Sequence, residues 1–237
     1  MARAITRASS KQTYYTARLM VDKDLVDDFC RAYAYFRWAD DVVDAPASTN
    51  LSPPSDDERI SFIRRQRELI DRLYGNERPD DLAPEEEIVA DLIGNDRADR
   101  LHPADRLHPA DKLHPMENSG LQSFIRNMFA VIEFDAFRKG RLVSEQELTW
   151  YSNCLGKAVV DGLQYFIGHG HPYPTTEDRC LAAIAAHIAH LLRDMVQDTA
   201  DGFINIPREY LEAHGISPED VDSPPFRAWV RGRVEQA

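Results

Sequence analysis

Apolar residues recur at intervals of three and four positions along most of this 237-residue chain. That spacing matches one face of an α-helix, and the sequence has no alternating segments joined by hairpin turns. It therefore predicts an all-α fold, and Ser144 with Glu147 forms a capping-box signature for one of its helices. The expected helices run from Asp22 or Asp24 to about Val43 and over about 56–74, 117–137, 144–167, 175–199, 207–213 and 225–237, with a short one after Pro84.

Two segments lie outside this pattern. Residues 98–115 repeat a six-residue unit as ADRLHP, ADRLHP and ADKLHP, and the proline in each unit opposes an ordinary helix. We interpret them as a low-complexity surface insertion in a single domain that spans 1–237. Residues 1–11 lack the apolar stretch of a secretory signal, so we expect a short disordered arm, with a transit peptide as the alternative.

Charge and cysteine content exclude several classes of protein. The chain has 28 basic and 40 acidic residues, and a net charge of −12 opposes a nucleic-acid partner. No run reaches the roughly 18–20 apolar residues of a membrane-spanning helix. Cys30, Cys154 and Cys180 lie far apart without a CxxC pair, which predicts reduced, buried thiols in a cytoplasmic protein.

The first long helix is expected to carry a polar stripe near its end, formed by Tyr33, Arg37, Asp40, Asp41 and Asp44. Asp40 and Asp44 are one turn apart, so their carboxylates can share a divalent cation such as Mg²⁺. Arg37 lies one turn earlier, where its guanidinium can bind a phosphate. The alternative is a solvated acidic helix end, although acids there oppose the helix dipole.

A second stripe is expected on a later, very apolar helix. It consists of His187, His190, Asp194, Asp198 and Asp201 at intervals of three and four, with Arg193 adjacent. Two such stripes that face each other across a helical bundle would hold two or three divalent ions and neutralise a diphosphate. The alternatives are partly buried histidines on a helix face, or a transition-metal site built from His187, His190 and Asp194.

Both stripes resemble motifs of a known family, the squalene and phytoene synthases. The run YAYFRWADDVVD, from Tyr33 to Asp44, resembles the first aspartate-rich motif of that family. The run LLRDMVQDTADG, from Leu191 to Gly202, with Asn205-Ile-Pro207 after it, resembles the second motif and its tail. Glu147-Leu-x-x-Tyr151 and Ser10-Lys11 are similar to two further family features. The similarity covers about residue 9 to the C-terminus apart from the repeat.

The resemblance implies a helical isoprenoid (terpenoid) synthase bundle, here lacking the C-terminal helices with which family chains usually continue. It implies a prenyltransferase that condenses two farnesyl or geranylgeranyl diphosphates head to head, through a cyclopropylcarbinyl diphosphate, toward squalene- or phytoene-type isoprenoids. Mg²⁺ is the implied cofactor, with NADPH if the product is squalene-like. Prenyl diphosphates are the implied partners, and lipid products are compatible with peripheral membrane association.

The resemblance also implies roles for individual residues. The implied metal ligands are Asp40, Asp44, Asp194 and Asp198, and Arg37 joins them as a catalytic residue. The implied substrate contacts are Ser10, Lys11, Tyr33, Asp41, Tyr151, His190 and Arg193.

The chain also departs from the family pattern. The family commonly has Gln and Asn at the positions of His187 and His190, an acid at Gln197, and a small residue at Lys157. A non-catalytic relative that binds or assembles is therefore the second hypothesis. A hydrolase or transition-metal enzyme that uses the two histidines is the third.

Overall fold

The structure is a computed structural model that describes residues 2–44, 56–101, 120–169 and 176–237. Every regular element in those ranges is a helix, which confirms the all-α prediction. The α-helices are α1 (Ala2–Ser9), α2 (Lys11–Met20), α3 (Val26–Asp44), α4 (Asp56–Tyr74), α5 (Pro84–Leu101), α6 (Gly120–Arg138), α7 (Glu145–Ile167), α8 (Leu181–Ala200), α9 (Arg208–His214) and α10 (Pro224–Gln236). Short 3₁₀ turns at Lys23–Leu25 and Glu177–Cys180 lead into α3 and α8.

Helix α7 begins where its capping signal predicts. The Ser144 backbone N–H donates to Glu147 Oε2 at 2.7 Å, and the Glu147 N–H donates back to Ser144 Oγ at 3.2 Å. This reciprocal pair satisfies two of the backbone donors that a helix start leaves open. The capping box is therefore confirmed.

The N-terminal segment is helical, so the prediction of a disordered arm is wrong. Helix α1 packs on α3: Thr6 is buried and its hydroxyl donates to the Cys30 carbonyl at 3.4 Å. Arg3 of α1 also pairs with Asp27 of α3. Both contacts join residues 24 positions apart, which local periodicity does not register.

Helix α5 is 18 residues long rather than short. Its inner face buries Val89, Leu92 and Ile93, so tertiary packing carries the helix well beyond its first turns. It includes residues 98–101, the first four of the ADRLHP repeat, so the expectation of a non-helical insertion is wrong for them. Residues 102–115 of the repeat lie outside the described residues.

The chain divides into two compact units, Met1–Ile125 with Asp161–Tyr173 and Arg126–Val160 with Pro174–Ala237. One domain over 1–237 stays a prediction.

In the first unit, α3 packs against both α1 and α5. Tyr35 is fully buried on α3 and its phenol donates to Gln66 Oε1 on α4 at 3.0 Å, so a polar contact inside the core also fixes α3.

The second unit has two apolar clusters. The first lies where α6 and α7 meet, and the second joins α8 to α9 and α10. Because Met195 of α8 belongs to the second cluster, the C-terminal half of α8 is packed against α9 and α10. The cluster residues are Val131, Phe134, Val143, Leu148, Tyr151 and Cys154 in the first, and Met195, Ile206, Leu211, Phe226 and Trp229 in the second.

The three cysteines, Cys30, Cys154 and Cys180, are buried and free, as predicted. No helix in the described part of the chain combines the length and apolar character that crossing a bilayer requires.

Candidate active site

The first acidic stripe lies on the last turns of α3, in the first unit. Arg37 Nε donates to Asp41 Oδ2 at 3.2 Å, its Nη2 donates to the other oxygen of that carboxylate, and its Nη1 lies 3.6 Å from Asp40 Oδ2. The hydrogen bond to Asp41 raises the pKa of Arg37, so the guanidinium stays charged. Tyr33 is partly buried one turn earlier, and Asp44 ends the helix with a side chain outside what the structure describes. Helix α3 thus presents one cation beside two half-exposed carboxylates.

Ser10 and Lys11, the predicted diphosphate contacts, lie at the start of α2 in the first unit. Ser10 is the N-cap residue: its hydroxyl oxygen accepts from the Thr13 backbone N–H at 3.1 Å and lies 2.8 Å from Thr13 Oγ1. Lys11 is the first residue of the helix and is exposed. The hydroxyl of Ser10 therefore has a capping role that sequence reasoning missed.

The second stripe lies on α8, in the second unit, and passes from buried His187 to an exposed part of the helix. Arg193 binds the neighbouring Asp194 at two points, Nε to Oδ1 at 2.7 Å and Nη2 to Oδ2 at 2.5 Å. This contact lowers the pKa of Asp194, so the carboxyl group stays ionised. His190 is exposed one turn before Asp194. The cation and the acid that were predicted together therefore lie in direct contact.

Asp198 lies one turn beyond Asp194 and is more enclosed. Asn205 Nδ2 donates to Asp198 Oδ2 at 2.8 Å. Burial raises the pKa of Asp198, and the negative charge of Asp194 raises it further. The two carboxylates thus concentrate negative charge that a bound cation would relieve.

Tyr151 links three helices of the second unit. It is buried on α7, its phenol donates to Asp135 Oδ2 on α6 at 3.0 Å, and its ring centroid lies 5.1 Å from that of Phe134 and 5.2 Å from that of His187 on α8. Burial, with the charge of Asp135, raises the pKa of the phenol, which therefore stays neutral. Tyr151 is therefore a buried ring whose phenol is held in place by Asp135 of α6.

Sequence reasoning missed three residues around this tyrosine: Asp135, Arg138 and Asn205. Arg138 is only 4% exposed, and it donates from Nε to Asp135 Oδ1 at 2.5 Å and from Nη1 to Asn205 Oδ1 at 2.7 Å. The i, i+3 spacing of Asp135 and Arg138 is common on solvated helix faces, so it did not indicate a buried site. Asn205 was visible only as part of a motif tail.

The carboxylates of the two stripes fit a hard divalent cation. Mg²⁺ in proteins is held by one or two carboxylates together with waters and substrate phosphate oxygens. Asp40 and the pair Asp194 and Asp198 offer that donor set at partly exposed positions. Among the described residues, no three His, Cys, Asp or Glu side chains form a group that by itself holds a metal ion, so the predicted site of His187, His190 and Asp194 is not formed.

The predicted site residues therefore fall into two sets. The first unit holds Ser10, Lys11, Tyr33, Arg37, Asp40, Asp41 and Asp44, and the second holds Tyr151, His190, Arg193, Asp194 and Asp198. The facing of the two stripes across one bundle stays a prediction. Lys157, where the resemblance calls for a small residue, is exposed on α7, and the neighbouring Gly156 marks the close approach to α8.

Comparisons with known proteins agree with the motifs. A bifunctional lycopene cyclase/phytoene synthase from Podospora anserina is 23% identical over 233 residues, which cover 94% of this chain and 37% of that protein. The chain thus spans little more than a third of this relative. The crystal structure of squalene synthase HpnC from Alicyclobacillus acidocaldarius has the same fold, with a TM-score of 0.63 at 17% identity over 99% of this chain and 77% of that one. A family model described as squalene/phytoene synthase matches residues 6–237, and the chain belongs to the squalene/phytoene synthase family.

Proposed function

We propose that this chain is a Mg²⁺-dependent prenyltransferase that joins two prenyl diphosphates head to head. The observation that carries the proposal is the pair of aspartate stripes, each with an arginine bound to one of its carboxylates, in a member of this family. A diphosphate that leaves with Mg²⁺ needs both groups: carboxylates for the metal and guanidinium donors for phosphate oxygens. Each stripe supplies both on a single helix.

The aspartates of the two stripes, Asp40, Asp44, Asp194 and Asp198, would hold the metal, which when bound draws negative charge from the leaving diphosphate. Arg37 and Arg193 would turn from their carboxylate partners to phosphate oxygens of the substrate. Both contacts with carboxylates are exposed, and ion pairs of this kind contribute little stability. The exchange of partners therefore costs the protein little free energy of folding.

The reaction begins with cleavage of the bond between C1 of the first prenyl chain and its diphosphate oxygen. The diphosphate keeps the electron pair, and the allylic cation that remains is attacked by the double bond nearest the diphosphate of the second chain. The new bond joins C1 of the first chain to C2 of the second and leaves a cation at C3 of the second chain. C1 of the first chain then loses a proton to the released diphosphate, and the electron pair of that C–H bond forms the C1–C3 bond, which closes the cyclopropane ring of the cyclopropylcarbinyl diphosphate.

The protein must keep the cation away from water until the second chain attacks. Phe134 and Tyr151 are buried rings at the meeting point of α6, α7 and α8, and aromatic faces attract a cation without forming a bond to it. Because the Tyr151 phenol stays neutral, it is a poor nucleophile toward the cation. These residues would form part of the prenyl-binding wall.

Farnesyl or geranylgeranyl diphosphate is the proposed substrate, and a squalene- or phytoene-type isoprenoid the proposed product, with NADPH needed only if the product is reduced. The two relatives, one named as a phytoene synthase and the other as a squalene synthase, support this range. A cytoplasmic location and peripheral association with a membrane belong to the same proposal.

The test is turnover of each prenyl diphosphate by the purified chain with Mg²⁺, with and without NADPH, measured as released pyrophosphate and as extracted lipid. Asp40→Ala and Asp194→Ala are expected to lower turnover by about 100-fold or more, since each removes charge stabilisation at the leaving group. Asp222→Ala is the matched control, because Asp222 is 92% exposed and pairs only at the surface with Arg227.

Unchanged turnover in both stripe variants would contradict the proposal. Absence of turnover together with absence of Mg²⁺-dependent binding of farnesyl diphosphate would instead favour the non-catalytic relative. Pyrophosphate released without a hydrocarbon product would mean that water captures the cation, and would limit the proposal to the first step.

A further inference from the structure

A continuous polar connection runs through the second unit from Tyr151 to Asp198. Its members are Tyr151, Asp135, Arg138, Asn205 and Asp198, each hydrogen-bonded to the next at distances between 2.5 and 3.0 Å. We propose that Arg138 and Asn205 are positioning residues, which hold the Asp198 carboxylate in one orientation for metal binding and tie it to Tyr151. This inference rests on the proposed function, since it assigns the support of one of its metal ligands.

The direction of every bond in this relay is fixed by chemistry. A guanidinium only donates and a carboxylate only accepts. Asn205 is 3% exposed between them, so its carbonyl oxygen must face Arg138 and its amide nitrogen must face Asp198. A flip of the amide would set donor against donor and acceptor against acceptor. The Asp198 carboxylate is therefore held by a partner that has a single orientation itself.

Arg138 is the fixed point of the relay. Its guanidinium lies 5.0 Å from the ring centroid of Tyr151, 5.1 Å from that of Phe203 and 5.7 Å from that of Phe134, in addition to its hydrogen bonds to Asp135 and Asn205. Aromatic faces attract a cation more strongly where water is excluded. With rings and hydrogen bonds on several sides, the guanidinium has little freedom to move.

The charges of the relay also support a positioning role. One buried cation, Arg138, binds the Asp135 carboxylate directly. On its other side the Asn205 amide connects it to the Asp198 carboxylate by two hydrogen bonds. Buried ionic groups of this kind add little net stability compared with apolar residues of similar size. Their use is in fixing geometry, and the group whose geometry they fix is a predicted metal ligand.

The test measures Mn²⁺ affinity of the purified full chain in the presence of inorganic pyrophosphate, by electron paramagnetic resonance of free Mn²⁺. Asn205→Ala is expected to raise the dissociation constant of Mn²⁺ by about tenfold or more, the usual effect of losing a residue that orients a metal ligand. In turnover assays the Mg²⁺ concentration for half-maximal rate should rise by a similar factor, while the KM for the prenyl diphosphate changes less. Asn153→Ala, at an exposed asparagine on α7, is the matched control.

Asn205→Ser serves if the alanine variant does not fold, which far-UV circular dichroism reports. A serine hydroxyl keeps one donor, so it should restore part of the Mn²⁺ affinity. Equal Mn²⁺ affinity in the wild type and in a folded Asn205 variant would overturn the relay and leave the proposed function standing. Absence of both pyrophosphate-dependent Mn²⁺ binding and turnover in the wild type would overturn the proposed function, and the relay with it.

Discussion

The buried ring of His187 predicts a specific dependence of stability on pH. His187 is 7% exposed on α8, its ring stands edge-on to Tyr151, and within the described residues its Nε2 has no hydrogen-bond partner. Burial, together with the positive charge of Arg138, lowers the pKa of the imidazole to about 4. The native state therefore keeps this ring neutral at pH values where the unfolded chain protonates it.

The sign and the size of the effect follow from the two pKa values. In the unfolded chain the imidazole binds a proton near pH 6.5. Between that pH and about 4 the unfolded state holds more protons, so native stability is lost as the pH falls. For one such group the free energy of unfolding drops by about 2 kcal/mol between pH 7.5 and pH 5, and by up to about 3 kcal/mol at lower pH.

The assay compares urea unfolding of the wild type and His187→Gln near pH 7.5 and pH 5, followed by the fluorescence of Trp150 and Trp229 in the same unit. Gln does not titrate in this range, so the variant should lose about 2 kcal/mol less between the two pH values than the wild type. His190→Gln, an exposed histidine three residues along α8, reports what a change of histidine to glutamine does by itself.

Two results would refute the reasoning. If His187→Gln and the wild type lose the same free energy of unfolding between the two pH values, His187 does not remain neutral in the native state. If His190→Gln flattens the pH dependence as strongly as His187→Gln does, burial of the ring is not the cause.

Two further predictions concern stability. Ser144→Ala removes the capping hydroxyl of α7 and should lower the free energy of unfolding by about 1 kcal/mol in urea titrations, and an unchanged midpoint would show that the cap is dispensable. Gly162→Ala places a Cβ 2.9 Å from Phe124 Cδ2, so steric overlap of about 1–3 kcal/mol should exceed the helix-propensity gain and lower the melting temperature. Gly94→Ala lies on α5 with open space around the added carbon, so its helix-propensity gain of about 1 kcal/mol should raise the melting temperature. A melting temperature that moves the same way in both variants would contradict the packing argument.

The parts of the fold that the sequence predicts are those set by local rules. Helices α4 and α7 begin and end within about one residue of their expected bounds, and α3 begins just after Asp24, the later of its two expected starts. The reason is that apolar spacing and capping residues lie inside the helices or next to them. The N-terminal helices do not follow such rules. They depend on Thr6 and Arg3, whose partners lie on α3, and a short basic segment with few apolar residues gives no local sign of that contact.

In the candidate site, too, the sequence predicts contacts within one helix and misses contacts between distant segments. Spacing alone placed Arg37 beside two acids, since neighbours on a helix are set by the pitch of the helix. Arg193 and Asp194 are consecutive in the sequence, and their side chains form a direct ion pair. The relay behind Asp198 was invisible, because Asp135, Arg138 and Asn205 come from the end of α6 and the segment after α8. Only the fold brings an arginine and an asparagine 67 positions apart into hydrogen-bonding contact.

The second stripe combines one adaptable carboxylate with one fixed carboxylate. Asp194 is partly exposed and pairs with an exposed arginine neighbour, so it can change partners when an anion arrives. Asp198 is partly buried and accepts a hydrogen bond from the Asn205 amide, whose orientation is fixed by its other hydrogen bond, to Arg138. Breaking that arrangement would leave buried polar groups without partners. A site that binds a metal together with a diphosphate needs both properties: the fixed ligand sets where the metal lies, and the adaptable pair lets the arginine follow the phosphate. Substitution of Asn205 should therefore change metal affinity first, and substitution of Arg193 should change diphosphate affinity first.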